Sequence, residues 1–510
     1  MGYREILLEL PTDYTEDQLR SKIENELKTK EFSYQIKRKS LDARRKTNIR
    51  WQISISASSE QIKGDAPAVT PTLNIPYKKR TKKALVVGSG PAGFFSAFVL
   101  QKAGFNTTLI ERGSDVKQRA RAIGVFENTG EFNSVNNYAF GEGGAGTFSD
   151  GKLTSRSKHI SQEREFIISS YIDAGAPEEI RYMAHPHLGS DNLKKIVSTL
   201  RENFLNIGGK VLFETLLEDL KIKDGTVSEA ITTSGTLAAD EFIIAPGHSA
   251  YETYRMLIAK GVEFRIKNFS IGCRIEHPQE IINQAQWGHK SLPGIKGAEY
   301  RLTSTREGGL PVYTFCMCPG GRIIPATAYK NTNIVNGMSL HSRSGKFANA
   351  ACVAGINLSR VHNVTTPLKA LEWLGKLEKR FYKYSDGYKA PACTIKNFIS
   401  RKDVSTITET SYPLGLKRSA LWDLLPVEVS RAIRRGLKDF SRKVKGFDAG
   451  IIMGLESKSS SPIQVLREEN MLSIGFNNLY IAGEGSGLAG GIISSGADGI
   501  KAAMAIIGKD

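Results

Sequence analysis

Three groups of residues in this chain have the types and spacing to do chemistry. The first is Gly88, Gly90 and Gly93, with Pro91 and Ala92 among them, directly after the apolar run Ala84–Val87. A strand that enters such a turn and leaves as a helix is the recipe for an ADP-ribose clamp. Gly88 permits the tight turn, Gly90 lets the backbone approach a pyrophosphate, and Gly93 lets helix and strand pack closely. The phosphates would rest on the helix N-terminus, where free N–H groups and the dipole favour negative charge. Glu111, followed by Arg112, ends the next apolar run and stands where it would accept hydrogen bonds from a ribose. Chance produces many isolated glycine triplets, but the flanking strand, the apolar helix and the acid together predict a dinucleotide site.

The second group is Gly141-Glu-Gly143-Gly144-Ala-Gly146-Thr147-Phe-Ser149-Asp150-Gly151-Lys152-Leu153. So many glycines do not suit the interior of a helix or strand, and the segment reads as backbone running against a flat ligand. Lys152 and Asp150 could bind an anionic substrate or pass a proton, with a solvated loop as the plainer alternative. The third group is His248, just after Ala245-Pro-Gly247, together with Cys316 and Cys318. His248 reads either as a functional group or as a turn histidine bonded to backbone. On a strand, residues two apart share a face, so the two sulfurs could form a redox dithiol, half a metal site or simple buried cysteines. Two ligands are too few for a closed zinc site, and Cys273, Cys352 and Cys393 are scattered, so no metal is expected. Arg343 and Glu456 are weaker candidates.

The elements that must position these groups fall into segments. Residues 1–58 read as strand, helix, strand, strand, with Thr15 as a helix cap, and predict a small ferredoxin-like module. Residues 59–80, with Gly64, Pro67, Pro71 and Pro76, read as a linker. The nucleotide fold would begin at 81 and run to 254, be interrupted by an inserted α+β substrate domain over 255–440, and close with 441–510. Leu212–Ile222 and Val227–Thr232 are expected to pair as strands, and Ile500–Ile507 to form the last helix. Only one glycine clamp follows a strand, so a second Rossmann domain for a nicotinamide is not expected.

With 510 residues, 40% of them hydrophobic, the chain can bury two or three cores. No apolar run is long enough to span a bilayer, the first residues lack the layout of a secretion signal, and five cysteines make no disulfide framework. These features predict a cytoplasmic protein with no membrane partner. The net charge of +18 is concentrated in part at Lys37–Arg50 and Lys78–Lys83. Solvated loops explain that excess; a surface for nucleic acid or an acidic protein is the sharper alternative.

The turn at Gly88–Gly93, the loop Gly141–Leu153 and the closing run Ala482-Gly483-Glu484-Gly-Ser-Gly487-Leu-Ala-Gly490-Gly491 resemble FAD-binding oxidoreductases of the glutathione-reductase structural type. More closely, the chain is similar to a bacterial family of FAD-dependent dehydrogenases. The pieces that carry this likeness include Ser40–Arg44, Phe315–Gly321, Asn336–Ser339 and Ser459–Pro462. The resemblance implies an α/β protein whose FAD-binding Rossmann domain is assembled from discontinuous segments. It makes Gly88, Gly90, Pro91, Ala92 and Gly93 the pyrophosphate turn and Glu111 with Arg112 the ribose edge. Gly143, Gly144, Gly146, Thr147 and Ser149 would line the flavin, Glu484 would stand near its ribityl chain, and Ala245, Gly247 and Gly483 would also contact the cofactor. Gly490, Gly491 and Ile492 would meet the isoalloxazine at a helix N-terminus.

The function this implies is hydride transfer through N5 of a non-covalent FAD, to or from a small organic substrate. His248, Lys152, Cys316 and Cys318 are the candidate catalytic groups. NADH or NADPH would dock transiently as electron donor. An RNA-modifying flavoenzyme with the basic N-terminal module as its RNA arm, or a flavoprotein whose module binds a protein, are the alternatives; oligomeric state is not legible.

Overall fold

The computed structural model describes residues 1–68, 71–305, 307–402, 407 and 409–509; two positions of the expected linker, 69 and 70, lie outside them. Near the N-terminus, strands Gly2–Leu10, Arg50–Ser59 and Ser33–Asp42 form an antiparallel sheet in that order. Helix Glu16–Leu27 covers one face, because Leu19, Ile23 and Leu27 recur every four residues and bury against it. Thr15 caps the helix in a reciprocal bond with Gln18. Some of the basic charge here is already engaged: Lys39 Nζ lies over the Tyr14 and Trp51 rings, and Lys46 donates to the Ala285 carbonyl.

The nucleotide fold is a five-stranded parallel sheet ordered Leu479–Ile481, Glu241–Ile244, Lys83–Val87, Asn106–Ile110, Lys210–Leu212. Leu479–Ile481 and residues 242–244 and 84–87 are buried throughout and read as continuous apolar runs, while the edge strand Lys210–Leu212 is largely exposed. The chain starts at Lys83–Val87, builds outward on one side, then returns to build the other. The order therefore reverses beside Lys83–Val87, and a crevice opens at the C-terminal strand ends there. Helices Pro91–Lys102 and Ile492–Gly508 pack together on one face of this sheet.

A mostly antiparallel sheet of eight strands follows, with Val312–Pro325, Phe347–Ile356 and Phe269–Pro278 at its centre. Helix Val427–Lys443 lays Val429, Ile433, Leu437 and Phe440 on it. Three sequence expectations need correction. Strand Ile451–Glu456 pairs with Phe269–Pro278 in this large sheet, so residues expected to begin the closing nucleotide segment belong to the inserted part. The run Leu212–Ile222 is divided, since Lys210–Leu212 joins the parallel sheet and Leu217–Lys223 joins a separate antiparallel one. The final helix begins at Ile492, a full two turns before Ile500; its glycine- and serine-rich start conceals the apolar periodicity. Among the described residues no helix is long and apolar enough to cross a membrane.

Candidate functional site

The crevice at the strand ends opens into one continuous cleft of about 1460 Å³, larger than the ~300–1,000 Å³ of an ordinary small-ligand site. Its first wall is the glycine turn. Gly88 has φ 95°, and a Cβ there would come 2.4 Å from the Ala245 carbonyl oxygen. At Gly93 a Cβ would sit 1.8 Å from the Gly88 oxygen, so helix and strand touch backbone to backbone. Gly90 differs: the nearest atom to an added Cβ is the Gly144 Cα, 3.8 Å away. Gly90 is also the N-cap of helix Pro91–Lys102, which has no side-chain cap. Its first N–H groups are left for an anion.

Glu111 is 5% exposed. One carboxylate oxygen accepts from the Ser89 amide (2.9 Å) and hydroxyl (2.8 Å), the other from the amides of Gly113 (2.9 Å) and Gly141 (3.1 Å). These four bonds take up the capacity of a carboxylate, roughly four lone-pair sites. The expected ribose acceptor is thus also a clasp joining turn, strand end and glycine loop. A ribose hydroxyl would have to replace the Ser89 hydroxyl, the one rotatable donor of the four. Arg112 pairs with Glu252 and lies 3.8 Å from the Phe140 ring centre.

The glycine loop is held from beneath by Arg119, a residue the sequence did not single out. Its side chain is wholly buried and donates to the carbonyls of Asn137, Tyr138, Gly141, Glu142 and Gly144 at 2.8–3.2 Å. Burial pulls its pKa down to about 10, against the pull of Glu111 and Glu142. In front of it, Gly144, Gly146 and Ser149 turn along the cleft, with Gly146 packed toward Ile492, while Gly143 and Thr147, expected to line it too, stand behind, Gly143 facing Val197. Thr147 Oγ1 is buried with no hydrogen-bond partner.

The loop delivers Asp150 and Lys152 to the far part of the cleft. Asp150 pairs with Arg343 at 2.6 Å, accepts from Ser339, and lies 3.4 Å from Lys152 Nζ. Burial raises its pKa, yet Lys152 and Arg343 outweigh that and hold it well below the carboxylate range. A depressed carboxylate pKa contributes stability that is complete above the unfolded value, near 3.8, and disappears as pH falls from there through the folded value. Thermal unfolding of the protein and of Asp150→Asn should therefore differ most above about pH 4 and converge in stronger acid.

Lys152 Nζ donates to the Met317 carbonyl, between the two cysteines. Cys316 and Cys318 lie on strand Val312–Pro325 but not in regular alternation. Phe315 pairs with Ala351 and Cys318 with Asn349, so one extra residue bulges out, and Cys316 takes φ 45°. Cys316 faces the cleft while Cys318 is buried behind it. The fully buried Arg274 lies below, donating to the Cys316 carbonyl (2.7 Å), the Cys318 sulfur (3.4 Å), Asn349 and Glu456. A hydrogen bond from Cys318, with help from Lys152 and Arg274, brings the Cys316 thiol down to about 6, against the effect of burial. The same bond and burial push Cys318 well up. Burial brings Glu456 up to about 7 although Arg274 opposes it. Arg343 and Glu456 thus belong to the site as partners of Asp150 and Arg274.

His248 stands with a different group. Its Nδ1 is 3.3 Å from a Glu484 oxygen, its Nε2 is buried and unpartnered, and no hydrogen bond links it to Lys152 or Cys316. Gly247 accepts from the Tyr254 hydroxyl. Gly483 donates to Asp498, itself paired with Arg467. Gly491 caps the 17-residue helix Ile492–Gly508 without a side-chain bond, so a second free helix N-terminus opens on the cleft. The open space at Gly90, two uncapped helix starts and the orphaned His248 nitrogen fit a dinucleotide with a flat ring.

Comparison with known proteins agrees with this geometry. Residues 81–132 match the FAD binding domain model, and 268–459 match the model described as FAD-dependent protein, C-terminal domain-like. An uncharacterised protein of Clostridium beijerinckii is 36% identical over 493 residues, covering 93% of this chain and 92% of its own. Among solved structures, glycine oxidase from Bacillus cereus aligns over 84% of this chain and 96% of its own, at 11% identity and a TM-score of 0.33. L-proline dehydrogenase from P. horikoshii aligns over 85% and 95%, at 13% identity and a TM-score of 0.35. By its sequence match along nearly the whole length, the chain belongs to the family of FAD-dependent proteins that includes the Clostridium beijerinckii protein.

Proposed function

We propose that this oxidoreductase holds FAD non-covalently along the cleft and exchanges a hydride with a small organic substrate at the end where Lys152 and Cys316 stand. The observation that carries the reading is the continuity of that cleft. It runs from the uncapped helix at Gly90, past Gly491, to Asp150, Lys152 and Cys316. The flavin supplies the electron chemistry when bound, and the protein orients it and sets its surroundings. The glycine turn would hold the pyrophosphate, and the loop from Gly144 to Ser149 would wall the ring. The helix start at Gly491 favours negative charge near the ring. His248, tied to Glu484, holds the sugar-phosphate chain instead of moving protons. Lys152 offers its ammonium to an anionic or charge-developing group on the substrate, with Asp150 and Arg343 fixing its place.

The same reading takes the fold as the glutathione-reductase type, with residues 1–58 as a ferredoxin-like addition. The reversal of strand order beside Lys83–Val87 supports it. It takes NADH or NADPH as a transient electron donor, because the described residues form a single parallel sheet.

An absorbance spectrum followed by anaerobic titration with NADH and NADPH tests the proposal. A visible flavin band that one of them bleaches is the expected result; a colourless protein that FAD does not reconstitute overturns it. Lys152→Met should keep its flavin and lose roughly 100-fold in kcat/KM, the scale for removing one preorganised donor. Unchanged turnover in that variant would remove Lys152 from the chemistry.

A further inference from the structure

The bulge at Cys316 does more than turn one sulfur toward the cleft. In a regular strand, the side chains two residues apart stand side by side without meeting. Here the extra residue curls the chain, so that the Cys318 thiol lies 3.4 Å from the Cys316 carbonyl oxygen. That contact sets the Cys318 thiol beside the residue whose side chain faces the cleft. Their exposures are unequal: Cys316 is partly exposed on the cleft wall, and Cys318 is fully buried. Cations flank the pair on two sides, with Lys152 on the intervening peptide and Arg274 on the Cys316 carbonyl and the Cys318 sulfur. Cys273, Cys352 and Cys393 are all buried, and burial pushes each thiol up. Only Cys316 has the environment of a thiolate at neutral pH.

We propose that Cys316 and Cys318 are a redox-active dithiol, with Cys316 the attacking sulfur and Cys318 the resolving one, that takes small disulfides from the cleft and exchanges electrons with the flavin. The second half rests on the proposed function; the first does not. In the substrate half, the Cys316 thiolate attacks one sulfur of a disulfide RSSR. The S–S bond breaks, one RS⁻ leaves, and a mixed disulfide forms. Cys318 gives up its proton to the departing thiolate and attacks Cys316, forming the internal disulfide and releasing the second RS⁻. Two electrons have moved from the dithiol to RSSR, yielding two thiols once solvent supplies the remaining proton. In the flavin half, reopening the disulfide to the Cys316 thiolate and Cys318 thiol takes two electrons and one proton, which a bound reduced flavin would supply. Arg274 holds the bulge in place and is a positioning residue.

Hydroxyethyl disulfide serves as the probe, with mass spectrometry of the peptide around 316–318 as the readout. The flavin-loaded protein treated anaerobically with the probe should lose two hydrogens at that peptide and protect both cysteines from iodoacetamide. Cys318→Ser should stop at the adduct on Cys316, and Cys316→Ser should react at neither position. Both cysteines remaining open to alkylation overturns the proposal, as does a stable adduct in the unsubstituted protein. Dithionite titration separates the two halves: the oxidised protein should consume four electrons per flavin and Cys318→Ser two. Two electrons in both, with the internal disulfide still formed, would sever the pair from the flavin. A colourless protein that nevertheless forms the disulfide would sink the FAD reading and leave the dithiol standing.

Discussion

Arg119→Met is expected to yield a protein that purifies with little or no flavin and unfolds several degrees earlier. The guanidinium serves the carbonyls of Asn137, Tyr138, Gly141, Glu142 and Gly144. Methionine replaces the volume of the side chain and none of its donors. Each carbonyl left buried and unpaired costs about 1–3 kcal/mol, but the loop will turn some of them outward to water instead. A net loss on the order of 3–5 kcal/mol follows, with the flavin wall as the part that rearranges. Arg119→Lys keeps the charge but has three donors in a different geometry, so it should recover stability better than flavin content. The measurements are flavin per chain by absorbance and the melting temperature. One flavin per chain in Arg119→Met would show that the loop holds itself.

The two glycines of the turn should fail in opposite ways. Gly93→Ala drives a methyl to 1.8 Å from the Gly88 oxygen, a backbone atom that moves only with the strand. The chain must pry helix Pro91–Lys102 off the sheet, and destabilisation of about 1–3 kcal/mol or more is expected. Gly90→Ala meets nothing closer than 3.8 Å and should fold normally. Its methyl instead occupies the space where a pyrophosphate would lie. A clash of about 1–3 kcal/mol there is roughly a 5- to 150-fold loss in FAD affinity. Thermal melts of the apoproteins and FAD titrations distinguish the two. Equal FAD affinity in Gly90→Ala would place the phosphates elsewhere.

The parts of the site legible in the sequence are those in which local backbone conformation is itself the function. The Gly88–Gly93 turn and the glycine loop announce themselves because few other residues adopt those conformations or permit that proximity. The Thr15 cap and the four-residue spacing of Leu19, Ile23 and Leu27 are local in the same sense. Arg119 and Arg274 were not legible. A lysine or arginine in a helix or strand reads as a solvated face, and only tertiary structure brings five carbonyls, or a carbonyl, a sulfur and a carboxylate, around it. Strand Ile451–Glu456 was misassigned for a related reason, since its pairing with Phe269–Pro278 spans well over a hundred residues and leaves no local trace. Strand alternation predicted that Cys316 and Cys318 would face one site together. The bulge breaks that alternation, leaving Cys316 on the cleft and Cys318 buried behind it, and such a bulge depends on register with the neighbouring strand.

The parallel sheet also sets a schedule for synthesis on the ribosome. Strand Glu241–Ile244 has Lys83–Val87 on one side and Leu479–Ile481 on the other. The first neighbour precedes it off the ribosome; the second follows only after the whole intervening region has been made. Throughout that interval the nascent chain carries an unpaired apolar strand edge, the kind of surface that invites aggregation or chaperone capture. The helix start at Gly491 arrives later still, so the wall of the cleft that it builds is made after the Gly88–Gly93 turn, the glycine loop and the large antiparallel sheet. Ribosome-bound chains halted before Leu479 should accordingly bind chaperones.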